Sequence, residues 1–96
     1  MLNIPTNISK KRAPSDKINQ VIGLFQKGEL QAALSQGQQL IEEYPDTASI
    51  HNVLGVCLSH EGQTKQSLYH FKEALKLDPS NPMMYNNLGN ILLDLQ

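Results

Sequence analysis

A single cysteine, Cys57, stands in the whole 96-residue chain. A disulfide framework within the chain is therefore excluded, and a reducing compartment, the cytoplasm, is expected. An excess of either charge is missing too. Eight Lys and Arg stand against nine Asp and Glu, a formal net charge of −1. Neutralising phosphates needs a basic surface, so nucleic acid is excluded as a partner. No apolar run approaches the roughly 20 residues that span a bilayer, so no membrane partner is expected. The opening stretch, MLNIPTNISKKRAPS, holds no apolar segment of signal-peptide length.

Patterns that carry chemistry are equally scarce. There is no glycine-rich phosphate loop and no metal motif of convincing spacing. Cys57 and His60 lie three apart and share a helical flank, but known metal sites need a third and fourth ligand. Cys57 reads instead as a small buried hydrophobe. Glu42 and Glu43 are adjacent, and adjacent residues on a helix point apart. Met83-Met84 reads as packing. No enzyme activity, cofactor or metal is expected. The one basic cluster, Lys10, Lys11 and Arg12, reads as part of a solubilising leader. Asn7-Ile8-Ser9 fits a glycosylation acceptor, which has no use without a secretory signal.

What is present is a helical period. Hydrophobic residues make up 40% of the chain, enough for the core of about one small domain. A chain this short buries only about 60–65% of its unfolded surface. Residues 1–13 are polar, carry Pro5, and are expected to be a disordered leader. Five apolar-periodic segments follow. Ile50, Val53, Leu54, Cys57 and Leu58 form the clearest single stripe on a helix. Ile18, Val21, Ile22 and Phe25 form another. So do Leu30, Ala33, Leu34, Leu40 and Ile41, then Leu68, Phe71, Ala74 and Leu75, then Tyr85, Leu88, Leu92 and Leu95. No segment alternates as a strand does, so the class is all-α.

The punctuation is regular. Gly28 and Gly62 are 34 residues apart, each after a helix, where glycine accepts the left-handed conformation. Pro45 and Pro79 share the offset and push the preceding residue out of the helical region. His51-Asn52-Val53-Leu54-Gly55 aligns with Tyr85-Asn86-Asn87-Leu88-Gly89 at the same spacing. Asn81-Pro82 reads as a fresh start: a capping asparagine, then proline at the first helical position.

A period of 34 with two helices per unit resembles the tetratricopeptide repeat family over residues 14–96. The unit 48–81 is the best match, with Leu54, Gly55, Gly62, Phe71, Ala74 and Pro79 in place and Ser67 where the family usually has alanine. The unit 14–47 keeps Gly28, Ala33 and Pro45 but has Val21 for the first-helix glycine and Gly37 for the second-helix aromatic. It is expected to pack loosely. Residues 82–96 supply only the first helix of a third unit. The resemblance implies a right-handed α-solenoid of antiparallel hairpins, about 2.5 repeats and five helices. Gly55 and Gly89 are expected to let a facing helix approach closely, with Ser67 as the small partner of Gly55.

Function follows from the resemblance. The family's first helices line a concave groove, which places Ile18, Ile22, Asn52, Val56, Ser59, His60, Asn86, Asn90 and Leu93 toward it. Asparagine offers donor and acceptor together and can grip an extended peptide backbone without demanding a sequence. Repeats that clamp chaperone C-termini hold a carboxylate with basic residues. The matching places here are Ile18, Ile22, Val53, Met83 and Asn87, and only Asn87 suits, so that use is not expected. His51 reads as semi-buried packing and His70 as surface. The expected use is a scaffold that binds a protein or peptide.

The last helix shows Leu88, Ile91, Leu92, Leu93 and Leu95 with nothing after it to cover them. Further repeats or an enzyme domain beyond residue 96, or a homodimer through that helix, would do so. Phe25-Gln26-Lys27-Gly28 and Asn86-Asn87-Leu88-Gly89-Asn90 resemble the N-terminal repeats of bacterial members. Some of those precede a glycosyltransferase or sulfotransferase domain, so a non-catalytic front of such a transferase is the alternative.

Overall fold

The computed structural model describes residues 12–96. Most of the expected leader, including Lys10, Lys11 and the Asn7 motif, lies outside the described residues. Five α-helices follow one another: α1 Ser15–Gln26, α2 Leu30–Glu43, α3 Ala48–His60, α4 Thr64–Leu77 and α5 Pro82–Asp94. No strand occurs among the described residues. The molecule is elongated, 56 × 26 × 19 Å.

The helix ends repeat as the punctuation does. Gly28 has φ +80° and Gly62 φ +77°, the left-handed conformation that a side chain would strain. Around each, the same pair of hydrogen bonds closes the helix. Gly28 N–H donates to Phe25 O and Glu29 N–H to Leu24 O; Gly62 N–H donates to Ser59 O and Gln63 N–H to Leu58 O. Tyr44 and Asp78, each before a proline, leave the helix with φ −132° and −139°. Asn81 accepts a hydrogen bond from Met83 N–H at 3.0 Å, with Pro82 at the first helical position.

Thr47 precedes α3 without capping it. Its hydroxyl donates to Tyr44 O at 2.9 Å and accepts from Ala13 N–H at 2.8 Å. Ala13, at the end of the expected leader, is thereby buried against the turn between α2 and α3. The packed structure reaches back one residue beyond the first expected repeat boundary.

The core runs along the α3 side of every neighbour. Ile50, Leu54 and Cys57 have no exposed surface, and Val21, Ala33 and Leu40 pack with them. Gly37 is buried as well. A Cβ there would stand 2.9 Å from Leu54 Cδ2, so a methyl of α3 occupies the place of the missing aromatic. At that point the neighbouring helix supplies the volume that an aromatic would have filled.

Helix α4 lies against α3 through a closer contact. A Cβ on Gly55 would meet the Phe71 ring at 2.6–2.9 Å. Ser67 Oγ donates to Gly55 O at 2.6 Å, so the small residue also satisfies the hydroxyl it buries. The ring is the larger contribution: truncating a buried Phe costs about 3–5 kcal/mol, against about 1 kcal/mol net for one hydrogen bond. Gly89, the equivalent of Gly55, is exposed and has nothing within 4 Å.

The two glycines therefore respond oppositely. Gly55→Leu forces α4 off α3 and lowers the melting temperature by about 10 °C or more. Gly89→Ala gains up to about 1 kcal/mol of stability, because it removes a helix-interior glycine without a clash. Thermal denaturation of the two variants checks both.

Candidate peptide-binding groove

Helix α3 touches both α1 and α5, whereas α2 and α4 do not approach one another. The stack thus bends with α1, α3 and α5 inside. On α3 and α5 one flank turns outward from the core, whereas Ile18 and Ile22 of α1 pack against it. Ile18 and Ile22 lie four apart on α1, Asn52, Val56 and Ser59 run along α3, and Asn86, Asn90 and Leu93 run along α5.

The structure brings three of these residues together. Val56, Ser59 and Asn90 line a cleft of ≈ 140 Å³ between α3 and α5, with Asn87, Phe71 and Ile91. Sites for small molecules are larger, about 300–1,000 Å³. This volume suits one side chain of a longer ligand. Phe71 and Ile91 are both buried, which gives the cleft an apolar floor, and the asparagines flank it.

Asn52 does not stand alone. Its Oδ1 accepts from Asn87 Nδ2 at 2.9 Å, which ties α3 to α5. Each amide keeps a second polar atom beyond that bond. Asn87, outside the expected groove set, is thus central to it. The signal was present: Asn87 and Asn90 are three apart and share a helical flank. Ile22 packs against the core and is half-buried. Ile18 borders a different depression, shared with Arg12, Thr47 and Leu77. Asn86, His60 and Leu93 are exposed and do not line the cleft.

No catalytic set assembles among the described residues. Cys57 is wholly buried, and its thiol pKa is raised by burial and then by the Glu61 carboxylate. That keeps it a thiol, the unreactive form. His60 lies exposed at the end of the same helix. No three or more His, Cys, Asp or Glu among the described residues are placed to hold a metal. His70 departs from its surface expectation: it is half-buried between α3 and α4 and faces His51. No described helix is long and apolar enough to cross a membrane.

On α5, Met84 and Ile91 are buried, but Tyr85 is 52% exposed, Leu92 47% and Leu93 64%. Leu58, the equivalent of Leu92 one repeat earlier, is 2% exposed. On α3 the places equivalent to Tyr85, Leu88 and Leu92 are His51, Leu54 and Leu58, all buried. On α5 Tyr85, Leu92 and Leu95 face solvent and Leu88 is half-buried.

Known proteins share this pattern. The family profile described as TPR repeat matches residues 60–96. The probable biofilm formation methyltransferase WspC of Pseudomonas putida is 30% identical over 78 residues, 81% of this chain and 18% of that protein. The CTR9 homolog of Arabidopsis thaliana is 30% identical over 66 residues, 69% of this chain and 6% of that one. The O-mannosyl-transferase TMTC1 of Mus musculus is 33% identical over 55 residues, 57% and 6%. The chain thus spans less than a fifth of the length of these relatives. The crystal structure of YrrB, a TPR protein with an unusual peptide-binding site, superposes with a TM-score of 0.79. That match is 23% identical and covers 86% of this chain and 43% of YrrB.

The buried thiol gives a check on the absence of a nucleophile. Cys57 is expected to react with a small disulfide reagent at least about tenfold more slowly in the native chain than in urea. A native rate equal to the denatured rate, read from the chromophore released, overturns its burial.

Proposed function

Because the chain is built of tetratricopeptide repeats, we propose that it serves in the cytoplasm as a non-catalytic scaffold. It grips an extended segment of another protein along the inner face of α1, α3 and α5. The carrying observation is the ≈ 140 Å³ cleft of Val56, Ser59, Phe71, Asn87, Asn90 and Ile91, with the Asn52–Asn87 pair beside it. An apolar side chain of the segment fills the cleft, and the asparagine amides of the rim bond its backbone. Ile22, Asn86 and His60 extend the contact to either side. The unusual peptide-binding site of YrrB supports the class of ligand.

A second reading is favoured by two relatives. WspC is named a methyltransferase and TMTC1 an O-mannosyl-transferase. On that reading the repeats are the non-catalytic part of a larger transferase and present its substrate. The open apolar face of α5 then receives a following helix. A second copy of the chain is the other occupant that face admits.

Three measurements separate these readings. A peptide selected from a random display library should shift the side-chain amide signals of Asn52, Asn87 and Asn90 on titration. Val56→Arg should weaken that peptide by about tenfold or more, a loss of about 1.4 kcal/mol, with the melting temperature unchanged. A bound peptide that leaves all three asparagines unmoved removes the groove. Light scattering decides the second copy: one mass across a wide concentration range excludes pairing through α5.

A further inference from the structure

Two histidines meet in the wall between α3 and α4, and neither lines the cleft. His51 is 6% exposed and His70 is half-buried. Their Nδ1 atoms are 3.0 Å apart, their ring centroids 5.3 Å, and the ring planes are tilted by 34°. The rings therefore meet nitrogen to nitrogen rather than stacking. On the other side of His51, Nε2 lies 3.0 Å from Pro45 O in the turn between α2 and α3.

These contacts assign the protons. A carbonyl oxygen only accepts, so His51 Nε2 carries a hydrogen. A neutral imidazole has one N–H, so His51 Nδ1 presents its lone pair. His70 Nδ1 must then be the donor, and His70 Nε2 is bare. The pair is not joined by a third His, Cys, Asp or Glu among the described residues, which a zinc site needs.

We propose that His51 and His70 form a proton-controlled latch, which fastens α4 to α3 and α3 to the α2–α3 turn while both rings are neutral and which protonation of the pair loosens. A proton at the bare His70 Nε2 puts a charge into the half-buried wall between the helices. The only other free position on the pair is His51 Nδ1. A proton there opposes the His70 N–H across 3.0 Å.

The surroundings agree. From α4, Glu73 lies one turn beyond His70, and its carboxylate holds Lys76 Nζ at 2.9 Å. Tyr69 meets the His70 ring edge-on at 5.1 Å. The turn offers the Pro45 carbonyl, next to Asp46, which has an interaction of its own. No charged residue of α3 lies within a turn of His51. Burial first, then the charge of His51, push the His70 pKa down to about 4, and only Glu73 opposes them. An unfolded histidine titrates near 6.5. Between about pH 6.5 and 4 the unfolded chain binds more protons than the folded one. Stability is therefore full above about 6.5, falls as the pH drops through that window, and levels off below it.

Long-range proton–nitrogen spectra of the ¹⁵N-labelled chain, with melting curves from pH 4 to 8, test the latch. At pH 7 His51 is expected as the Nε2–H tautomer and His70 as the Nδ1–H tautomer. The melting temperature should hold from pH 8 to 7 and fall between pH 6.5 and 4. His70→Gln keeps a donor toward His51 but does not titrate, so it should flatten most of that fall. Both rings in the Nε2–H form at pH 7 would overturn the proposal, as would an unchanged pH slope in His70→Gln. The tautomers of the unmodified chain decide the matter even if the variant does not fold.

Discussion

The Phe71 ring lies where a side chain on residue 55 would begin, and the Ser67 hydroxyl reaches the Gly55 carbonyl beside it. This contact sets the separation of α3 and α4. Interior packing leaves almost no slack, so the width of one hairpin is transmitted to its neighbours. Helix α3 is also the element on which α1, α2 and α5 rest. Its apolar residues are consequently buried around most of the helix, and only the flank of Asn52, Val56 and Ser59 escapes.

That escape creates the groove. A helix enclosed by four others keeps one narrow flank for solvent, and the bend of the stack turns it inward. Residues there are free of packing duty and can serve recognition. The floor of the cleft still belongs to the core, because Phe71 and Ile91 are buried side chains seen from the other side. The group that spaces the hairpin thus also makes the recess apolar.

Local chemistry was legible before any tertiary information. Gly28 and Gly62 adopt the left-handed conformation the punctuation required, Tyr44 and Asp78 leave their helices before proline, and Asn81 caps α5. Each depends on one or two residues and their own backbone. The misreadings have a common cause. Gly37 looked like a hole until Leu54 of the next helix filled it. His70 looked like surface until His51, 19 residues away, came within hydrogen-bond reach. Asn87 by position suits only a carboxylate clamp, and its bond to Asn52, 35 residues earlier, exists only once α3 and α5 meet.

The sequence by itself determined the number of helices, their ends and the spacing that makes them equivalent. Those features arise from φ preferences, capping and helical periodicity, which act within a few residues along the chain. Only the tertiary structure decided which polar side chains meet and which apolar face of α5 stays uncovered. Such contacts depend on the rotation of one helix against another to within an ångström, and a residue's own neighbours carry no record of that angle.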